Sequence, residues 1–117
     1  MNTATRKAKG KRLQKYVCNL ILKYYSILND QDVKSIRMGR KGEDVQLSDK
    51  AKKLIPYSIE CKNQEKLNIW SSLEQAETNA GKHIPLLIFK RNRSKIYATL
   101  QLDDLMRLLD EKQQSSD

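Results

Sequence analysis

Asp44, Glu60 and Lys62 are the residues whose types and spacing admit chemistry. Side chains two apart in a strand share a face, so an extended Tyr57–Lys62 puts Glu60 and Lys62 on one side and Cys61 on the other. If 43–48 and 57–62 form an antiparallel hairpin about the polar connection between them, symmetric pairing brings position 44 opposite position 60. Two carboxylates and one ammonium then meet at one spot. Hard carboxylate oxygens suit a divalent cation that keeps several waters, and an ammonium steadies an attacking water or the charge developing on phosphorus. That combination is what metal-dependent phosphodiester hydrolysis requires. A bare E-x-K is not specific by itself, because Glu–Lys pairs on an exposed sheet face are common and contribute little.

These three residues need a frame, and the apolar pattern supplies one. Leu13, Tyr16, Val17, Leu20, Ile21, Tyr24, Ile27 and Leu28 recur at helical spacing and predict a first helix over 13–28 with one apolar stripe. Strands are expected at 33–37, 43–47 and 57–62, with 48–53 as a polar connection. A second helix over 67–80 groups Ile69, Trp70, Leu73, Ala76 and Ala80 on one face and stops at Gly81. Pro85–Phe89 reads as a strand buried on both faces, 96–100 as its partner, and 102–109 as a last helix. The predicted order α-β-β-β-α-β-β-α describes a single α/β domain with a mixed central sheet flanked by helices. Residues 1–12 read as a flexible basic arm, 13–109 as the domain and 110–117 as a polar tail.

The 117 residues include 23 Lys+Arg and 14 Asp+Glu. Residues 1–42 carry 11 of the basic residues against only Asp30 and Asp32, while the rest of the chain carries 12 of each sign. A field of this kind suits a polyanion, which makes nucleic acid the leading partner beside the plainer reading of a solubilising surface. No apolar run suits a membrane span, and the start of the chain is unlike a signal peptide, so action in a reducing cytoplasm is expected. Cys18 and Cys61 read as buried thiols rather than nucleophiles or zinc ligands. His83 stands alone, and no G-x-x-x-x-G-K-S/T segment supports a nucleotide cofactor. Ser35 and Ser48 read as turn caps, and Tyr16 and Tyr24 as core or interface.

The ordered set Gly42-Glu43-Asp44, Pro56-Tyr57-Ser58-Ile59-Glu60-Cys61-Lys62-Asn63 and Gln75-Ala76, behind a basic helix, resembles the PD-(D/E)-x-K nuclease superfamily, and more narrowly the phage-type Holliday junction resolvases. The likeness spans about residues 10–109 and implies a restriction-endonuclease-like domain. It implies that Asp44 and Glu60 ligate Mg²⁺, with Mn²⁺ as a substitute, that the main-chain carbonyl of Cys61 adds a ligand, and that Lys62 positions the nucleophilic water. It also places Gln75 in the site, although by helical angle Gln75 falls off the apolar stripe and faces either cleft or water. The chain departs from the superfamily in having Glu43 before Asp44 and no acid before Asp30, which leaves Gln14 as the first-helix candidate for the site.

The reading that results is a Mg²⁺-dependent endonuclease that cuts four-way DNA junctions by shape, working as a homodimer because one small domain cannot reach two opposed strands. A phage origin would place it in the cytoplasm of a bacterial host. Backbone contacts are expected from Arg6, Lys7, Lys9, Lys11, Arg12, Arg40, Lys41, Lys52, Lys53, Lys90, Arg91, Arg93 and Lys95. A nicking, restriction or repair nuclease acting on duplex DNA shares the same residues, and a DNA-binding protein without catalysis is the remaining alternative.

Overall fold

The computed structural model describes residues 3–36 and 42–115. The chain runs α1 (Thr3–Tyr24), β1 (Val33–Ser35), β2 (Val45–Leu47), α2 (Asp49–Leu54), β3 (Tyr57–Asn63), α3 (Ile69–Ala80), β4 (Ile84–Lys90), β5 (Tyr97–Thr99) and α4 (Leu102–Ser115). It is a small α/β domain with a mixed sheet: β3 and β4 are parallel with Glu60 opposite Leu87, and β4 and β5 are antiparallel with Leu87 opposite Thr99. The crossover between the parallel pair is α3, as a parallel connection requires. β1 and β2 make a separate antiparallel pair, Val33 opposite Leu47 and Ser35 opposite Val45.

The main core lies between α1 and the strands. Leu13, Val17 and Cys18 of α1 pack with Val33, Val45, Leu47, Ala51, Ile55, Ile59 and Cys61. Both cysteines are buried free thiols, and burial pushes each thiol pKa up. The second layer is α3, which buries Ser72, Ala76 and Ala80 against β3 and β4. Asn68 caps that helix by accepting from the Ser71 N–H, and Gly81 ends it at a φ of 57°, a conformation glycine adopts without cost.

Several expectations are revised. The 43–48/57–62 hairpin does not form; β2 pairs with β1, and the segment expected as a polar connection is α2, whose N-cap is Ser48. Helix α1 begins at Thr3, so the stretch expected as an arm is helical from there, with Lys9 and Gly10 buried, and α4 continues to Ser115 through most of the expected tail. The apolar stripe of α1 is only half covered, with Tyr16 54% and Tyr24 73% exposed, and the helix expected to reach residue 28 stops at Tyr24, which leaves Ile27 beyond it and 65% exposed. Trp70, expected on the packed face of α3, is 78% exposed. In β4 only Leu87 is fully buried, so one face of that strand remains partly open.

Candidate active site

Strand β3 is a divider with two different faces. Ile59 and Cys61 enter the apolar core, while Ser58 and Glu60, each 1% exposed, lie on the side covered by α3. Asp44 is fastened to the edge of β3 away from β4. Its N–H donates to the Ile59 carbonyl at 2.8 Å, and its Oδ2 accepts from the Cys61 N–H at 2.7 Å. The two bonds straddle residue 60, so the carboxyl groups of Asp44 and Glu60 come within hydrogen-bonding reach of each other. From α3, Asn79 Nδ2 donates to Glu60 Oε1 at 2.7 Å. Lys62 follows on the same face as Glu60, half-buried.

The electrostatics follow from that crowding. Burial, the largest cause, raises the Glu60 carboxyl pKa from 4.5 to about 7, and neighbouring Asp44 pushes the same way. The Asn79 hydrogen bond and the Lys62 charge pull in the opposite direction. Two carboxylates forced together in a dry place are costly unless a positive charge compensates them. The donor set therefore fits a hard divalent cation: two carboxylate oxygens, with the Cys61 carbonyl on the same strand edge as the N–H that holds Asp44. Among the described residues no group of three or more His, Cys, Asp or Glu side chains gathers here. On α1, Gln14 is 1% exposed and accepts at Oε1 from Ser35 Oγ at 2.8 Å. Ser35 pairs with Val45, next to Asp44, so Gln14 supports the strand that carries the carboxylate. Ser35 thus holds a helix to a strand and does not cap a turn.

The remaining residues singled out by sequence are spread over the molecule. Gln75 is exposed on α3, one turn before Asn79. Lys9 is 7% exposed, with its carbonyl accepting from Asn63 Nδ2, and so is buried rather than presented to a ligand. Lys52 Nζ lies 2.7 Å from Glu43 Oε2 and also donates to the Tyr57 carbonyl, which ties the start of β3 to the residue before Asp44. Arg6, Lys7, Arg12, Lys53, Arg91, Arg93 and Lys95 are exposed, and Lys11 and Lys90 half-buried. Arg40 and Lys41 lie outside the described residues. Lys90 pairs with Asn63, so the basic 90–95 turn sits just past Lys62, where Glu65 Oε2 accepts from the Asn92 N–H. Asn79 is the residue that sequence reasoning missed. The signal for it was its position four residues after Gln75, which gives the two a common helix face.

A mixed sheet flanked by helices, with Asp44 hydrogen-bonded to the strand that carries Glu60-x-Lys62, defines a restriction-endonuclease-like domain of the PD-(D/E)-x-K nuclease class. Residues 5–116 match the family model described as "Phage putative PDDEXK endonuclease", and the chain belongs to that family. No curated protein and no solved structure matched the chain. Nucleases of this superfamily generally use divalent metal ions. None of the described helices is long and apolar enough to cross a membrane.

Proposed function

We propose that the protein is a Mg²⁺-dependent, structure-selective endodeoxyribonuclease that resolves four-way DNA junctions by paired phosphodiester hydrolysis as a homodimer, in the cytoplasm of a bacterial host. The observation that carries the hydrolytic reading is the pair of carboxyl groups fixed across the edge of β3, Asp44 by two hydrogen bonds and Glu60 by Asn79, with Lys62 beside them. Asp44, Glu60 and the Cys61 carbonyl would hold the cation. Once bound, it supplies a more acidic water and charge neutralisation at the phosphate. Asn79 holds Glu60 in one orientation, and the Asp44 hydrogen bonds keep its carboxylate from following the substrate. Lys62 places an ammonium beside the carboxylates, where it orients a water or meets negative charge building on the phosphate oxygens.

Junction preference is supported by where the charge lies and what it can read. Arg6, Lys7 and Lys11 on α1, Lys53 on α2 and Arg91, Arg93 and Lys95 in the turn between β4 and β5 are suited to phosphates rather than base edges, as recognition by branch shape requires. One domain of this size presents one site, and two opposed cuts need a second copy. Cleavage of a synthetic immobile four-way junction beside a linear duplex of matched sequence, with Mg²⁺ and with EDTA, tests this. Paired symmetric cuts on the junction alone, abolished by EDTA, are expected. Equal cutting of the duplex would make the protein a nicking, restriction or repair nuclease, and junction binding without cutting under Mg²⁺ or Mn²⁺ would remove catalysis from the reading.

A further inference from the structure

Helix α4 does not pack like the other helices. Over 14 residues it buries no side chain, although Leu102, Leu105, Met106 and Leu109 fall on one stripe at helical spacing; Leu102 is 70% exposed, Met106 54% and Leu109 50%. The radius of gyration of 14.5 Å is correspondingly larger than the roughly 13 Å of a compact chain of this length. Asp103 and Asp110 border the stripe on one flank, and α4 holds four acids against Arg107 and Lys112. Helix α1 presents the counterpart. Its uncovered stripe, Tyr16, Leu20 and Tyr24, is bordered by exposed Arg12 and Lys23, and the helix holds seven basic residues and no acid.

We infer that the second copy of this chain docks reciprocally, the acidic-flanked apolar stripe of α4 from each protomer covering the basic-flanked stripe of α1 on the other. The inference rests on the homodimer proposed above and specifies its surface. Self-pairing of α4 about a two-fold axis would set Asp103 and Asp110 against their own copies, and self-pairing of α1 would do the same to Arg12 and Lys23. Only the crossed arrangement is both apolar at its centre and complementary in charge at its rim. Pairing about a two-fold axis makes both contacts at once. Arg12 would then face the partner helix rather than DNA.

The test is sedimentation of the full chain without DNA or metal, which separates it from any result on cleavage. Wild type should be dimeric. Met106→Glu with Leu109→Glu should weaken the dimer at least about tenfold, as loss of buried apolar anchors does. Asp103→Lys with Asp110→Lys should weaken it, Arg12→Glu with Lys23→Glu should do the same, and the four changes together should restore it. All these positions are exposed, and unchanged circular dichroism melts confirm the fold. A monomeric wild type, a charge swap on either helix that leaves the mass unchanged, or a combined swap that fails to recover would overturn the inference.

Discussion

The two faces of β3 are buried alike and built of opposite materials. On the α1 side Ile59 and Cys61 meet aliphatic neighbours; on the α3 side Glu60 accepts a hydrogen bond from Asn79 of the helix that buries Ala76 and Ala80. The first face gains free energy by leaving water, roughly 25 cal/mol for each Å² of apolar area. The second spends part of that gain to keep a carboxyl group dry and next to another. One strand of alternating residues thus carries stability on one side and the carboxyl assigned to the proposed hydrolysis on the other, so the two can be changed separately.

Substitutions on each face sharpen the contrast. Glu60→Gln should lower cleavage by about 100-fold or more, in line with the loss of a group that stabilises charge in the transition state, while DNA binding persists. If cleavage survives, the α3 face is not the reactive one. Asn79→Ala should cost about 10–100-fold in cation affinity or cleavage, as loss of a partner that orients a ligand does, with titration calorimetry of the unloaded protein reading the affinity directly. An unchanged affinity would show that Glu60 needs no orientation from α3. On the opposite face Ile59→Ala should cost about 2–5 kcal/mol of stability and leave cleavage by the folded fraction nearly unchanged. Urea unfolding checks the first half of that statement and a cold assay the second.

The smallest effect is a pH dependence with a defined sign. The Glu60 carboxyl pKa is raised by folding, so between its ordinary value of 4.5 and about 7 the native state binds more protons than the unfolded chain. Stability of the metal-free protein should therefore fall as pH rises through that window. Glu60→Gln should flatten the melting temperature against pH and leave the variant the more stable protein above it. A wild-type profile parallel to that of Glu60→Gln would show that the carboxyl is not held in a costly place.

Much of this is legible in the residues, though a hairpin is not what brings the two carboxyl groups together. Asp44 and Glu60 were expected to meet through a hairpin; they meet because Asp44 bonds to Ile59 and Cys61 while β2 pairs elsewhere. Alternation fixed which residues of β3 share a face, and that period holds whichever strand is the neighbour. Helix α2 was missed because Asp49–Leu54 is short and polar, with Ala51 as its buried residue, so no periodicity announced it. Tyr16 and Trp70 show a different limit: helical spacing reveals an apolar arc but not what covers it. Asn79 was hidden for a related reason: its spacing from Gln75 gives the two a common helix face, but which helix lies over Glu60 is a long-range fact.

The hold on Asp44 has a bearing on how the protein should be handled. The outer rim of β3 would otherwise offer the Ile59 carbonyl and the Cys61 N–H to any passing strand, the usual start of edge-to-edge aggregation. Asp44 stoppers that rim with its own backbone and side chain. Asp44→Ala therefore does two things at once, disarming the site and stripping the rim, and insoluble material from it would say nothing about hydrolysis. Asp44→Asn keeps an oxygen for the Cys61 N–H and is the cleaner way to silence the enzyme.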